Sequence, residues 1–268
     1  MPKWVTQILA PLACGMLVLF GVIGLNALLR SQSRSTIAFN KIECEPPPGL
    51  SGEEFLAEVQ YLANWPDEIN LLDDGLAARL RVSFLVHPWV ESVERVQIVP
   101  PRQVRVLLRY RTPALAVALP DENGEAWIPG RDGKTKLPGR VVDGGGVLLP
   151  LGAADPQLPV LYSSVPPPAG RAGQAWGDPG VAAAASVALL LAPHQEQLNL
   201  KAFEILDGVL VLSSDRARVV WGPIDDAASA DGKLQAILDV RANRGGLDGW
   251  EIDVRAPDNL AARPIRRP

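Results

Sequence analysis

Few side chains of the kind that perform catalysis occur in this chain, and their spacing decides how they read. Among 268 residues only two are histidines, His87 and His194, and neither has a second histidine or a cysteine at a metal-ligand spacing. Each stands beside a proline, in His87-Pro88 and Pro193-His194, so a structural role at the end of an element is expected. Acidic residues cluster at Asp73-Asp74, Asp225-Asp226 and Asp231. Paired carboxylates could bind a cation or pass protons. Each of these, however, lies at a helix start or turn, where aspartate also caps orphan N–H groups and meets the positive end of the helix dipole. Gly144-Gly145-Gly146 is not followed by a helix and a lysine, so it reads as a turn rather than a phosphate cradle. Ser213-Ser214 falls in a hairpin turn. No catalytic, cofactor or metal site is assigned, and the chain is expected not to be an enzyme.

The formal charge of -4 argues against broad nucleic-acid binding, which needs a basic surface. Cys14 and Cys44 make no internal disulfide framework. The stretch Ile8 to Leu29 is apolar or small apart from Asn26, long enough to cross a bilayer as a helix. A cleaved signal peptide is the competing reading. The run is longer than an ordinary signal core, no small-x-small site follows it, and Arg30 and Arg34 stand directly behind it. It is therefore read as an uncleaved span. Charge alone does not orient it, since Lys3 flanks one side and the two arginines the other.

Further along, Thr36 to Ile42 reads as a strand. Ser51 and Glu54 form a capping box before a helix with Phe55, Leu56, Val59 and Leu62 on one face. Asp73 or Asp74 can cap a second helix carrying Leu76, Ala77, Leu80 and Phe84. A hairpin follows, in which Val104, Val106, Leu108 and Tyr110 alternate with Gln103, Arg105, Leu107 and Arg109. Arg102, Arg105, Arg109 and Arg111 are read as a solvated strand face or, alternatively, as a basic stripe for an acidic partner or anionic lipid. Beyond Ala114 the texture turns to short β-rich runs. Val181 to Leu191 is a helix, Asp207-Gly208 joins a hairpin, Asp231 opens a helix, and Trp250 to Arg255 is a last strand. The tail from Ala261 is expected to fray.

Pro88-Trp89-Val90 leading into a hairpin that ends at Arg111-Thr112-Pro113 resembles the POTRA module of the bacterial cell-division proteins FtsQ and DivIB. The later pieces resemble the β domain that follows it in that family. They are Val142-Asp143-x-x-Gly146-Val147-Leu148, Leu158-Pro159-Val160-Leu161, Val219-Val220-Trp221-Gly222, Lys233-Leu234 and Ile252-Asp253-Val254-Arg255. Two departures stand out. The stretch from Asp121 to Gly146 is longer than the family's hairpin, and no glycine-rich aromatic continuation follows Arg255.

The expected fold class is α+β, with a single N-terminal transmembrane helix, a POTRA module (β-α-α-β-β) and then a mostly antiparallel β domain with flanking helices. Its parts are a cytoplasmic N-terminus 1–7, a span 8–29, a linker 30–35, a POTRA-like module 36–116, a β domain 117–260 and a flexible tail 261–268. The resemblance implies a scaffold without catalysis, single-pass in the bacterial cytoplasmic membrane at the division septum, N-terminus inside and domains outside. It would hold small coiled-coil partners like FtsB and FtsL and regulate septal peptidoglycan synthesis, with no cofactor, nucleic acid or small-molecule substrate. The expected contact region is Asp253, Arg255, Ala256, Asp258 and Leu260, because a last strand at a sheet edge offers unpaired N–H and C=O groups. The alternative is a membrane-tethered POTRA protein of export or envelope assembly that binds client strands as a chaperone.

Overall fold

A computed structural model describes residues 35–99, 103–120, 126–127, 139–225, 230–256 and 260–265. The chain divides into two compact units, Met1–Arg109 and Tyr110–Pro268.

In the first unit, β1 (Thr36–Ala38) pairs antiparallel with β2 (Glu68–Asn70), Ile37 opposite Ile69. Helix α1 (Gly52–Leu62) starts at the expected capping box, with Ser51 Oγ accepting from Glu54 N–H and Glu54 Oε2 accepting from Ser51 N–H. Helix α2 (Leu76–Leu85) is capped differently from expectation. Its N-cap is Gly75, and Asp73 instead accepts the Gly75 N–H at 3.1 Å and pairs with Arg79. The strands β3 (Val90–Val99) and β4 (Gln103–Tyr110) form the hairpin, and Glu43 extends it on the far side of β4 through bonds to Val104 and Val106. Phe39, Phe55 and Phe84 meet in the core with ring centroids 6.0 to 6.5 Å apart along the Phe55–Phe84–Phe39 chain. Val104 and Val106 are buried while Arg105 and Arg109 face outward, as the alternation required.

The expected order β-α-α-β-β is thus corrected to β-α-β-α-β-β. A three-residue strand spans too little chain to show a period of two, and β1 stops where Phe39–Lys41 turns into a 3-10 helix.

The second unit is built on a mixed sheet, nine-stranded among the described residues. Its strands are β5 (Pro113–Pro120), β6 (Ala126–Trp127), β7 (Gly139–Asp143), β8 (Val160–Leu161), β9 (Ala202–Leu206), β10 (Val209–Ser213), β11 (Arg218–Pro223), β12 (Trp250–Asp253) and β13 (Ala261–Pro264). The order is β13-β12-β11-β10-β9-β8-β5-β6, with β7 also on β5. Pairs β5–β8, β8–β9 and β11–β12 are parallel. Parallel neighbours need a crossover, and two helices provide one each: α3 (Pro179–Leu191) between β8 and β9, α4 (Ala230–Arg244) between β11 and β12. The mostly antiparallel domain with merely flanking helices is corrected accordingly.

Asp178 caps α3 by accepting from Val181 N–H, and Val181, Ala184, Ala185, Ala188 and Leu191 form its buried face. Alanines let the turn at Gly144 to Gly146 lie close to this helix. A Cβ on Gly146 would sit 3.0 Å from the Ala182 backbone, and its φ of 73° suits glycine. Asp143 organises that turn. Its Oδ1 accepts from Gly145 and Val147 N–H at 2.9 Å, and Oδ2 from Arg111 Nη1 at 2.7 Å.

Among the described residues no helix is long and apolar enough to cross a membrane. The expected fold class is corrected to an α+β chain of two units whose second unit carries a mixed sheet. The stretch 8–29 lies outside the described residues. The tail expected to fray instead contributes β13, paired with β12 from Asp253↔Ala261 to Trp250↔Pro264.

Replacing Asp143 with alanine removes three accepted hydrogen bonds and leaves Arg111, whose side chain is 19% exposed, without its carboxylate. The expected cost is about 3 kcal/mol, read as a lower urea midpoint for the second unit.

Candidate functional site

His87 resolves as a structural group. His87 is 1% exposed, and its ring lies edge-on to Phe55 at 4.7 Å between centroids. Trp89 N–H donates to Nδ1 at 3.3 Å, so Nε2 carries the proton and donates to Glu58 Oε2 at 3.0 Å. Burial lowers the His87 pKa from its ordinary value, and Glu58 offsets part of that shift. His194 lies in the 3-10 turn after α3. No group of three or more His, Cys, Asp or Glu able to hold a metal occurs among the described residues.

Of the acid clusters, Asp73 serves its turn and Arg79 as described, Asp231 lies in the first turn of α4, and Asp226 lies outside the described residues. Ser214 Oγ accepts from Arg216 and Ala217 N–H, holding the β10–β11 turn. The arginines of the hairpin divide. Arg105 pairs with Glu43 at 3.0 Å and Arg109 with Glu91 at 3.1 Å, each about 60% exposed in its side chain. These are solvated ion pairs of small energetic weight. Arg102 lies outside the described residues, and Arg111 turns to Asp143 in the second unit.

The expected contact residues gather only in part. Asp253 ends β12, and Arg255 folds back on it. The Arg255 Nε donates to both carboxylate oxygens at 3.0 and 3.1 Å, its Nη2 to Oδ2 at 2.6 Å, and its backbone N–H to Oδ1 at 3.1 Å. These bonds hold the Asp253 carboxyl below its ordinary pKa. Val254 between them is fully buried, so the corner is anchored to the core by its central residue. Ala256 is exposed and Leu260 packs partly against the core. Asp258 lies outside the described residues.

The edge itself is not where it was expected. Strand β12 lies between β11 and β13, and no described strand lies beyond β13. Val254 N–H donates to Val220 C=O on one side, and Ile265 N–H to Gly249 C=O on the other. Residues of an antiparallel pair alternate between those that exchange backbone bonds and those that face away. With Glu251 opposite Arg263 and Asp253 opposite Ala261, positions 261, 263 and 265 point their amides at β12. Leu260, Ala262 and Pro264 therefore point outward, and because proline has no N–H the outward donors are those of Leu260 and Ala262. The run Ala261-Ala262-Arg263-Pro264 contains a proline and no apolar alternation, so nothing in its pattern announced a strand.

An open groove of about 480 Å³ in the second unit is lined by Pro113, Leu158, Pro159, Ala188 and Ala192, with Glu196 and Lys201 as its charged side chains. It brings together no acid–base pair of like groups and no nucleophile with a histidine.

No protein-family model matches the chain, and no curated protein matches it.

The His87 arrangement carries a pH dependence of definite sign. With the folded pKa below the unfolded one, the unfolded chain binds the proton first. The first unit is therefore expected to lose stability as pH falls below about 6.5, where free histidine titrates. Urea midpoints measured at about pH 7 and pH 5.5 check this, and His87→Gln should flatten that part of the profile.

Proposed function

We propose that the chain is a non-catalytic scaffold of bacterial cell division, similar in role to FtsQ and DivIB. In this reading it is held at the cytoplasmic membrane, with the POTRA-like module and the β domain outside the cytoplasm, and engages short coiled-coil division proteins to regulate septal peptidoglycan synthesis. The observation that carries the reading is the end of the second unit's sheet. Short β13 leaves an outward row of backbone groups beside an ordered Asp253–Arg255 corner, an arrangement suited to pairing with an extended segment of a partner.

A chain with residues 253–260 replaced by a neutral linker is expected to lose capture of coiled-coil division proteins while its first unit melts unchanged. Undiminished capture would sink the contact assignment. A fluorescent fusion of the full chain should concentrate at the division septum; uniform envelope signal would instead support an export or assembly role. To place the partner strand, Ile252 and Ala262 can both be changed to cysteine. They face each other across a pair that exchanges no backbone bonds, where Cα atoms lie about 4.5 Å apart and within disulfide reach. Capture should survive oxidation of that pair, because the partner adds outside β13 rather than taking its place.

A further inference from the structure

Lys233 is 0% exposed, a rare state for a lysine. It sits on the core-facing side of α4 with Leu234, Ile237 and Val240, and its ammonium lies 5.7 Å from the centroid of the Trp221 ring. The next residue along β11, Gly222, has no side chain where one would collide. A Cβ there would come within 3.0 Å of Lys233 Nζ and 3.5 Å of Arg255 Cγ. The lysine ammonium and the arginine stem thus share the space that a side chain at position 222 would fill. Three elements meet at this point: the end of β11, the first turns of α4 and the corner after β12. The Arg255 stem lies against Gly222 while its guanidinium returns to Asp253.

We infer that Lys233 is a positioning residue for the Asp253–Arg255 corner. It supports the Arg255 stem from below, so that the guanidinium closes on Asp253 and the backbone of 254–256 keeps the course on which the outward face depends. Gly222 belongs to the same device: its φ of 133° suits glycine, and a Cβ there would press on the ammonium at 3.0 Å. The inference rests on the reading of that corner as a contact surface, but its test needs no partner.

The experiment is hydrogen exchange on the full chain carrying Lys233→Met, which keeps the length and apolar stem and removes the ammonium. Amides of residues 254–256 should exchange about tenfold faster, with protection of β9, β10 and the first unit unchanged. Trypsin should also cleave faster after Arg255. Gly222→Ala, which crowds the ammonium and strains the backbone at a φ of 133°, should shift the same amides in the same direction. Unchanged exchange at 254–256 in both variants overturns the inference. So does loss of protection across the whole second unit, which would make Lys233 an ordinary core residue. A failed septal capture with locally raised exchange would sink the partner reading and leave this one standing.

Discussion

The second unit depends on burying β5 from both faces. Ala114, Leu115, Ala116, Val117 and Ala118 are each no more than 4% exposed. A strand buried on both faces must have its backbone groups satisfied by neighbours, because an unpaired buried amide or carbonyl is costly. Here β7 takes one edge in antiparallel register and β8 the other in parallel. Strand β9 then joins β8 in parallel as well, which imposes the crossover through α3, and the small side chains of α3 let it lie close over the β7 turn. From β9 outward the sheet proceeds by hairpins, until α4 again carries the chain across to a parallel strand.

The same logic governs the sheet's far end. Each added strand satisfies one edge and creates another, so a sheet that does not close needs some device at its last strand. The device is a four-residue strand with proline at an outward position, which shortens the available ladder without removing it. Beside it the Asp253–Arg255 pair, with Val254 buried beneath, keeps a polar corner in one shape. An edge of limited length next to a hydrogen-bonded charged corner offers little room for indiscriminate strand pairing.

The elements that announced themselves did so through short-range chemistry. Ser51 and Glu54 cap each other within one turn, and Asp207-Gly208 supplies two residues of positive φ between strands paired Val209 to Leu206. The Arg105 and Arg109 face followed from a period of two. What escaped reading did so for equally physical reasons. Strand β2 is too short to display a period, and β13 consists of two alanines, an arginine and a proline. Asp73 acts two residues before the N-cap instead of at it. The buried role of Lys233 could not be seen from a residue type that ordinarily lies at the surface.

The sequence by itself determined the longer helices and the hairpins with their turns, because caps, periodicity and turn residues act over a few positions. Only the tertiary structure decided which strands are neighbours, that three of the pairings are parallel, and that the expected edge strand is an interior one. Strand pairing is a relation between backbones far apart in the chain, and a backbone carries no side-chain signature of the partner that will satisfy it.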